Sequence, residues 1–144
     1  MDQLAVGASS LLTHRELDPR YLAPTFRQAH GLMARWTTPY QPLVLLSEWD
    51  YSLESPKGGD WRQGIVGFLQ ADYEPTQGFH VFLTGETNNV GPESTPFSYG
   101  AWLSPTWFFL THFDVRVDGI YQSVPAGPSR VDVWTLGLQA HLYL

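Results

Sequence analysis

The chain has 144 residues, of which 15% are charged and 15% aromatic. An ordinary soluble domain carries roughly 25% charge. A mean hydropathy of −0.18, with no run near the ~20 apolar residues of a membrane-spanning helix, excludes a helical membrane protein. A β-barrel is not excluded, because its outward and inward residues alternate and leave the mean unremarkable. The net charge of −6 and the single lysine, Lys57, argue against a nucleic-acid partner. The absence of cysteine removes disulfides, thiolate metal sites and cysteine nucleophiles.

Period-2 alternation recurs along the whole chain and predicts an all-β fold of about eight strands. In chain order these are 4–12, the weakest, then 26–36, 43–53, 62–73, 79–88, 97–104, 109–121 and 134–144. The last strand is the clearest. Trp134, Leu136, Leu138, Ala140, Leu142 and Leu144 fall on one face, and Thr135, Gly137, Gln139, His141 and Tyr143 on the other. All eleven prolines then fall in connections or at strand ends, as a hydrogen-bonded ladder requires. Short connections at 39–42, 74–78 and 105–107 alternate with longer ones at 13–25, 54–61, 89–96 and 122–130. That asymmetry matches the short periplasmic turns and longer outer loops of an outer-membrane barrel.

Alternation alone fits a soluble sandwich or a lipocalin-like barrel equally well. The position of the aromatics separates the readings. Trp36, Tyr73, Phe79 and Phe109 sit beside the short turns, and Phe26, Tyr51, Trp61, Tyr99, Tyr121 and Trp134 toward the long connections. Between them the same face carries mainly Leu, Val, Ile, Ala and Gly. Two aromatic girdles around an aliphatic band are what the two interfaces of a bilayer select, because Trp and Tyr settle at headgroup depth. The expected fold is therefore an antiparallel up-and-down transmembrane β-barrel, with a lipid bilayer as its surroundings. A soluble all-β binding domain is the alternative.

The ending VDVWTLGLQAHLYL, preceded by WFFLTHFDVRVDGIYQ, resembles the final hairpin of Gram-negative outer-membrane porin-like proteins. The resemblance implies a bacterial outer-membrane location, recognition of the terminal strand by the outer-membrane assembly machinery, and a porin-like passage or scaffolding role. Met1 to Thr13 lacks the basic and apolar regions of a secretory signal. Together with the weak first strand, this leads us to expect a single barrel domain over 1–144 that forms the C-terminal part of a larger barrel. A self-contained eight-stranded barrel is the other possibility.

The face opposite the girdles supplies the candidate lumen lining: Arg27, Arg35, Glu48, Asp50, Asp72, His80, Glu86, His112, Asp114, Arg116, Asp118 and His141. Matching like faces in the last hairpin places His112 opposite His141 and Asp114 opposite Gln139. Two histidines without a third ligand make a poor metal site, and no cofactor is expected. The hairpin around Pro75 brings Asp72 opposite His80, an acid/base pair that lacks a serine beside it. An outer-membrane barrel enzyme is thus a third reading, with no catalytic residues assigned. Arg116 between Asp114 and Asp118 reads as a self-neutralising network. Val44, Leu46, Val66, Phe68, Phe82, Trp102, Phe108 and Leu110 on the same side argue against a wide open channel and suit a filled interior, a plug, or a partner polypeptide.

Overall fold

In a computed structural model, which describes residues 3–19, 22–40, 42–90 and 96–143, the chain is a single antiparallel sheet of eight strands. The strands are β1 (Gln3–Asp18), β2 (Ala23–Thr37), β3 (Leu43–Pro56), β4 (Arg62–Thr76), β5 (Phe79–Val90), β6 (Ser98–Leu110), β7 (Phe113–Ala126) and β8 (Ser129–Leu142). Each pairs only with its neighbours in sequence, so the topology is up-and-down. Among the described residues the sheet is not closed, and β1 and β8 each keep one open edge.

No apolar side chain is buried among the described residues, whereas Asp18, Thr25, Thr38, Ser104, Thr106, Asp114, Asp118 and Ser123 are. This inverts the usual order of a soluble domain. The cause is the single layer. The strands put their apolar side chains mainly on one face, nothing packs on that face, and only polar side chains that lean on one another across strands are shielded. On β8 the exposed large apolar residues form a run: Trp134 at 78%, Leu136 at 82% and Leu138 at 76%.

The strands are longer than the sequence suggests, and several expected connections shrink. The expected loop at 13–25 is largely strand, with β1 and β2 paired out to Asp18 opposite Ala23 and a bulge between Arg15 and Asp18. Polar residues occupy both faces there, which hides the alternation. The expected loop at 122–130 is a two-residue turn, Gly127–Pro128, between Ala126 and Ser129. Gly127 has φ of +65°, and a glycine first in such a loop, followed by a residue with φ fixed near −65°, suits a type II′ hairpin. The expected turn at 105–107 lies inside β6, and the chain reverses at 111–112 instead. Pro105 pairs with Val81 of β5, but the ladder to β7 has no pair at Ser104 or Pro105, so the missing N–H of Pro105 sits at a gap. The expected connection at 89–96 lies largely outside the described residues, as does Leu144 at the end of the last expected strand. Connection length therefore does not distinguish the two ends of the sheet as sharply as expected.

Candidate functional site

The register sorts the sequence-derived residues onto two faces. Arg27 lies opposite Glu54, Arg35 opposite Leu46, Glu48 opposite Met33 and Asp50 opposite Gly31. Asp72 faces Phe82, Glu86 faces Phe68, and His80 faces Thr106, which in turn faces Arg116. Asp114 faces His141, and Asp118 faces Gly137. Eleven of the twelve lumen candidates thus share one face, because pairing preserves the pleat from strand to strand. His112 is the exception. It sits in the β6–β7 turn, and its carbonyl accepts the Tyr143 N–H at 2.9 Å.

The opposite face carries Trp36, Tyr51, Tyr73, Phe79, Tyr99, Phe109, Tyr121 and Trp134. Trp61 falls in the connection before β4 rather than on a strand. The remaining aromatics trace two oblique lines. Trp134 and Tyr121 share a row of paired residues, which meets β3 at Ser47 and β2 at Ala34. Relative to that row Tyr99 stands two residues higher, Tyr51 four and Phe26 eight. The lower line climbs in the same direction, from Phe113 on β7 through Phe79 and Tyr73 to Trp36, whose row crosses β7 at Gly119, six residues above Phe113. With ~3.3 Å per residue and ~4.8 Å between strands, both lines slope at about 40° to the rows. Ring contacts run along them: Tyr121 and Trp134 at 4.8 Å above, Trp107, Phe109 and Phe113 at 5.4 and 5.0 Å below. Trp49 departs from the expected aliphatic band, lying exposed between the lines with its indole N–H donated to Ser47 at 2.9 Å.

The polar face holds three groups of interactions. At one end of β2, Arg27 bonds Asp18, and its Nε lies 3.2 Å from Glu54. At the other end of β5, His80 Nδ1 is 2.8 Å from Asp72, and Nε2 is 3.7 Å from Glu74. The expected pairing of Asp72 with His80 is corrected: the turn at 77–78 and a bulge between Tyr73 and Thr76 set Asp72 opposite Phe82, and the His80 ring reaches the carboxylate diagonally. The His80 ring is flanked by Phe82 and Phe108, each with centroids 5.7 Å away. The hydroxyl opposite His80 is that of Thr106, which is enclosed and has no hydrogen-bond partner.

The third group joins β6, β7 and β8. Asp118, 2% exposed, accepts hydrogen bonds from Ser104 Oγ at 2.5 Å, Arg116 Nε at 2.6 Å and Gln139 Nε2 at 2.7 Å. Asp114, 1% exposed, accepts the Tyr143 hydroxyl at 2.7 Å and meets His141 Nδ1 at 2.9 Å. Arg116 also donates to Ser104 at 3.1 Å, and His141 Nε2 lies 3.1 Å from the Gln139 carbonyl. The bond to the Asp114 carboxylate raises the Tyr143 phenol above its ordinary pKa. The expected pairs His112–His141 and Asp114–Gln139 are corrected here: the observed register is offset by two residues, since the tight Gly127–Pro128 turn sets Ala126 against Ser129.

Sequence reasoning missed Asp18, placed in a loop, and the roles of Ser104 and Tyr143. Alternation could have found the latter two, as both share the parity of the carboxylates they bind. Among the described residues no three metal-ligating side chains converge. Ser104 Oγ is committed to Asp118 and Arg116, so the group offers no hydroxyl activated by a histidine. No known protein family, curated protein or solved structure matches the chain.

Proposed function

We propose that the chain forms wall strands of an outer-membrane-type transmembrane β-barrel, with a porin-like passage or scaffolding role and the polar face toward the lumen. The observation that carries this reading is the pair of oblique aromatic lines. Aromatic belts lie level in a bilayer, so lines inclined at about 40° to the rows correspond to strands tilted by that angle, within the ~35–45° of outer-membrane barrels. A soluble core gives no reason for its aromatics to follow two parallel diagonals. The absence of any buried apolar side chain among the described residues supports the same conclusion, since lipid would cover that face.

The open edges bear on the size of the barrel. Neither Gln3 to Thr13 of β1 nor Val133 to Leu142 of β8 contains a proline, an acid, a lysine or an arginine, the usual devices that blunt an edge. Unpaired backbone inside a bilayer costs several kcal/mol per group, so both edges must be paired there. In this reading the eight strands belong to a larger barrel, whose further strands bridge β8 and β1. The bilayer, the assembly machinery acting on β8, and a plug or partner polypeptide in the lumen are the partners it implies.

Two measurements test the membrane reading. In detergent or lipid the protein gives a β-rich spectrum and heat-modifiable gel migration. In oriented bilayers, polarised infrared dichroism of the amide bands returns a strand tilt near 40°. A monodisperse monomer that is soluble without detergent and unfolds in one sharp transition overturns it.

A further inference from the structure

The Gly127–Pro128 turn sets the register at one end of the last hairpin, but away from it neither the backbone ladder nor the aliphatic side chains oppose a slip. Slipping β8 along β7 by two residues keeps every side chain on its own face and every ladder bond available. The aliphatic part of the apolar face discriminates little, because Val117 meets Leu138 in the observed register and would meet Leu136 or Ala140 in the neighbouring ones, so on that face the Tyr121–Trp134 contact alone is tied to the register. The polar face does discriminate. In the observed register Asp114 reaches both His141 and Tyr143, and Asp118 takes Gln139 from β8 in addition to Ser104 and Arg116, which lie on β6 and β7 and do not depend on where β8 sits. One slip places Asp114 opposite Gln139, Arg116 opposite Gly137 and Asp118 opposite Thr135, which moves the histidine and the tyrosine away from Asp114. The opposite slip sets Asp114 across from Tyr143 and Asp118 across from Gln139 but Arg116 across from His141, so the imidazole leaves Asp114 for a cation.

We infer that Asp114 and Asp118 are register-setting residues, which choose the pairing of β8 on β7 from among its two-residue slips. They act at the far end of the hairpin from the Gly127–Pro128 turn, so the strand is fixed at both ends. Ser104 extends the clasp to β6, where the ladder to β7 is interrupted and cannot hold the strands by itself. The consequence for a barrel rests on the reading above. β8 is an open edge, and its height on β7 fixes the height at which the next strand joins, hence the stagger at closure. The register choice itself does not depend on a membrane.

The chain contains no cysteine, which allows a direct test by disulfide trapping in the folded full chain. V117C with L138C reports the observed register, and V115C with L138C or G119C with L138C reports the two slips. In the otherwise native protein the first pair cross-links and the other two do not. Adding D114A and D118A raises cross-linking of the slipped pairs about five-fold or more relative to the first, as loss of roughly 1 kcal/mol of preference would. A role confined to stability lowers the V117C–L138C yield without raising the others, and that result overturns the inference. If the double alanine protein does not fold, Q139L with H141L loosens the clasp from the β8 side and must shift the same ratio; an unchanged ratio there also overturns it. A soluble protein with a shifted ratio would sink the membrane reading and leave the register role standing.

Discussion

The carboxylates of β3 and of β7 lie on the same face of one sheet and have opposite fates. Asp114 and Asp118 are enclosed by hydroxyl, amide, imidazole and guanidinium groups from three strands. Glu48 and Asp50 are half-buried, and no hydrogen bond or ion pair reaches either among the described residues. The flanking strands explain this. Beside Glu48 stand Met33 and Phe68, and beside Asp50 stand Gly31 and Val66, none of which can donate from its side chain. At Gly31 a Cβ would collide with the Asp50 carboxylate, so the glycine leaves room for the charge without binding it. The difference teaches that the polar face is two surfaces: a bonded clasp around β7 and a solvated acidic strip on β3.

That contrast presumes that this face, not the other, looks inward, and the largest expected effect tests the presumption. Leu138→Arg places a charge on the apolar face midway between the aromatic lines and costs about 2–4 kcal/mol in a bilayer. Trp134→Arg, at the upper line, costs less, because arginine at headgroup depth is solvated. Thr135→Arg, on the polar face, costs least. Urea unfolding in lipid vesicles measures all three. Equal losses at Leu138 and Trp134 would remove the depth dependence and with it the bilayer.

A smaller effect separates the two kinds of carboxylate. Asp118→Leu strands the donors of Ser104, Arg116 and Gln139 and costs about 1–3 kcal/mol, the price of leaving enclosed polar groups unmet. The figure is not larger because the sheet is one layer thick and the freed groups can turn to water. Asp50→Leu strands nothing and stays within about 0.5 kcal/mol of the parent. If the two variants unfold at the same denaturant concentration, the clasp and the strip are energetically one surface.

Much of this arrangement was legible in the sequence, and the failures share a cause. Period-2 alternation gave eight strands, two faces and the sorting of eleven polar candidates, because a face is a parity and parity survives errors of boundary. Register is not a parity. The register that pairs His112 with His141 keeps the strand residues on their faces, yet it is two residues out and puts a turn residue on a strand, since loop length alone leaves the turn at 122–130 undefined, whereas the structure tightens it to Gly127–Pro128. Pro105 was likewise taken for a turn because a proline usually breaks a ladder, yet a ladder broken on one side only leaves it a place within β6. The outer half of β1 was lost because His14, Arg15 and Glu16 are polar on both faces. Closure was not readable at all, for it depends on which strands meet the two edges.

The smallest effect concerns the acidic strip, and it is electrical rather than structural. Glu48→Gln with Asp50→Asn removes two charges while keeping side-chain volume, and since neither group has a partner, stability changes by no more than about 0.5 kcal/mol. If the polar face lines an aqueous passage, those charges lie where solutes pass, while Asp118 is paired with Arg116 and both β7 carboxylates are enclosed by donors. Unpaired charge on a wall of low dielectric attracts counter-ions and falls off over about 10 Å at 0.1 M salt. In planar bilayers under a salt gradient, the parent then shows a reversal potential on the cation-selective side of zero. The double variant moves toward zero, and the shift shrinks as the salt on both sides is raised. The same neutralisation at Asp114, which is 1% exposed and bonded to Tyr143 and His141, moves the potential less in any protein that still folds. A shift as large at Asp114 as at β3 would mean that bonded and unbonded carboxylates face the passage alike, and the division of the polar face into clasp and strip would fail.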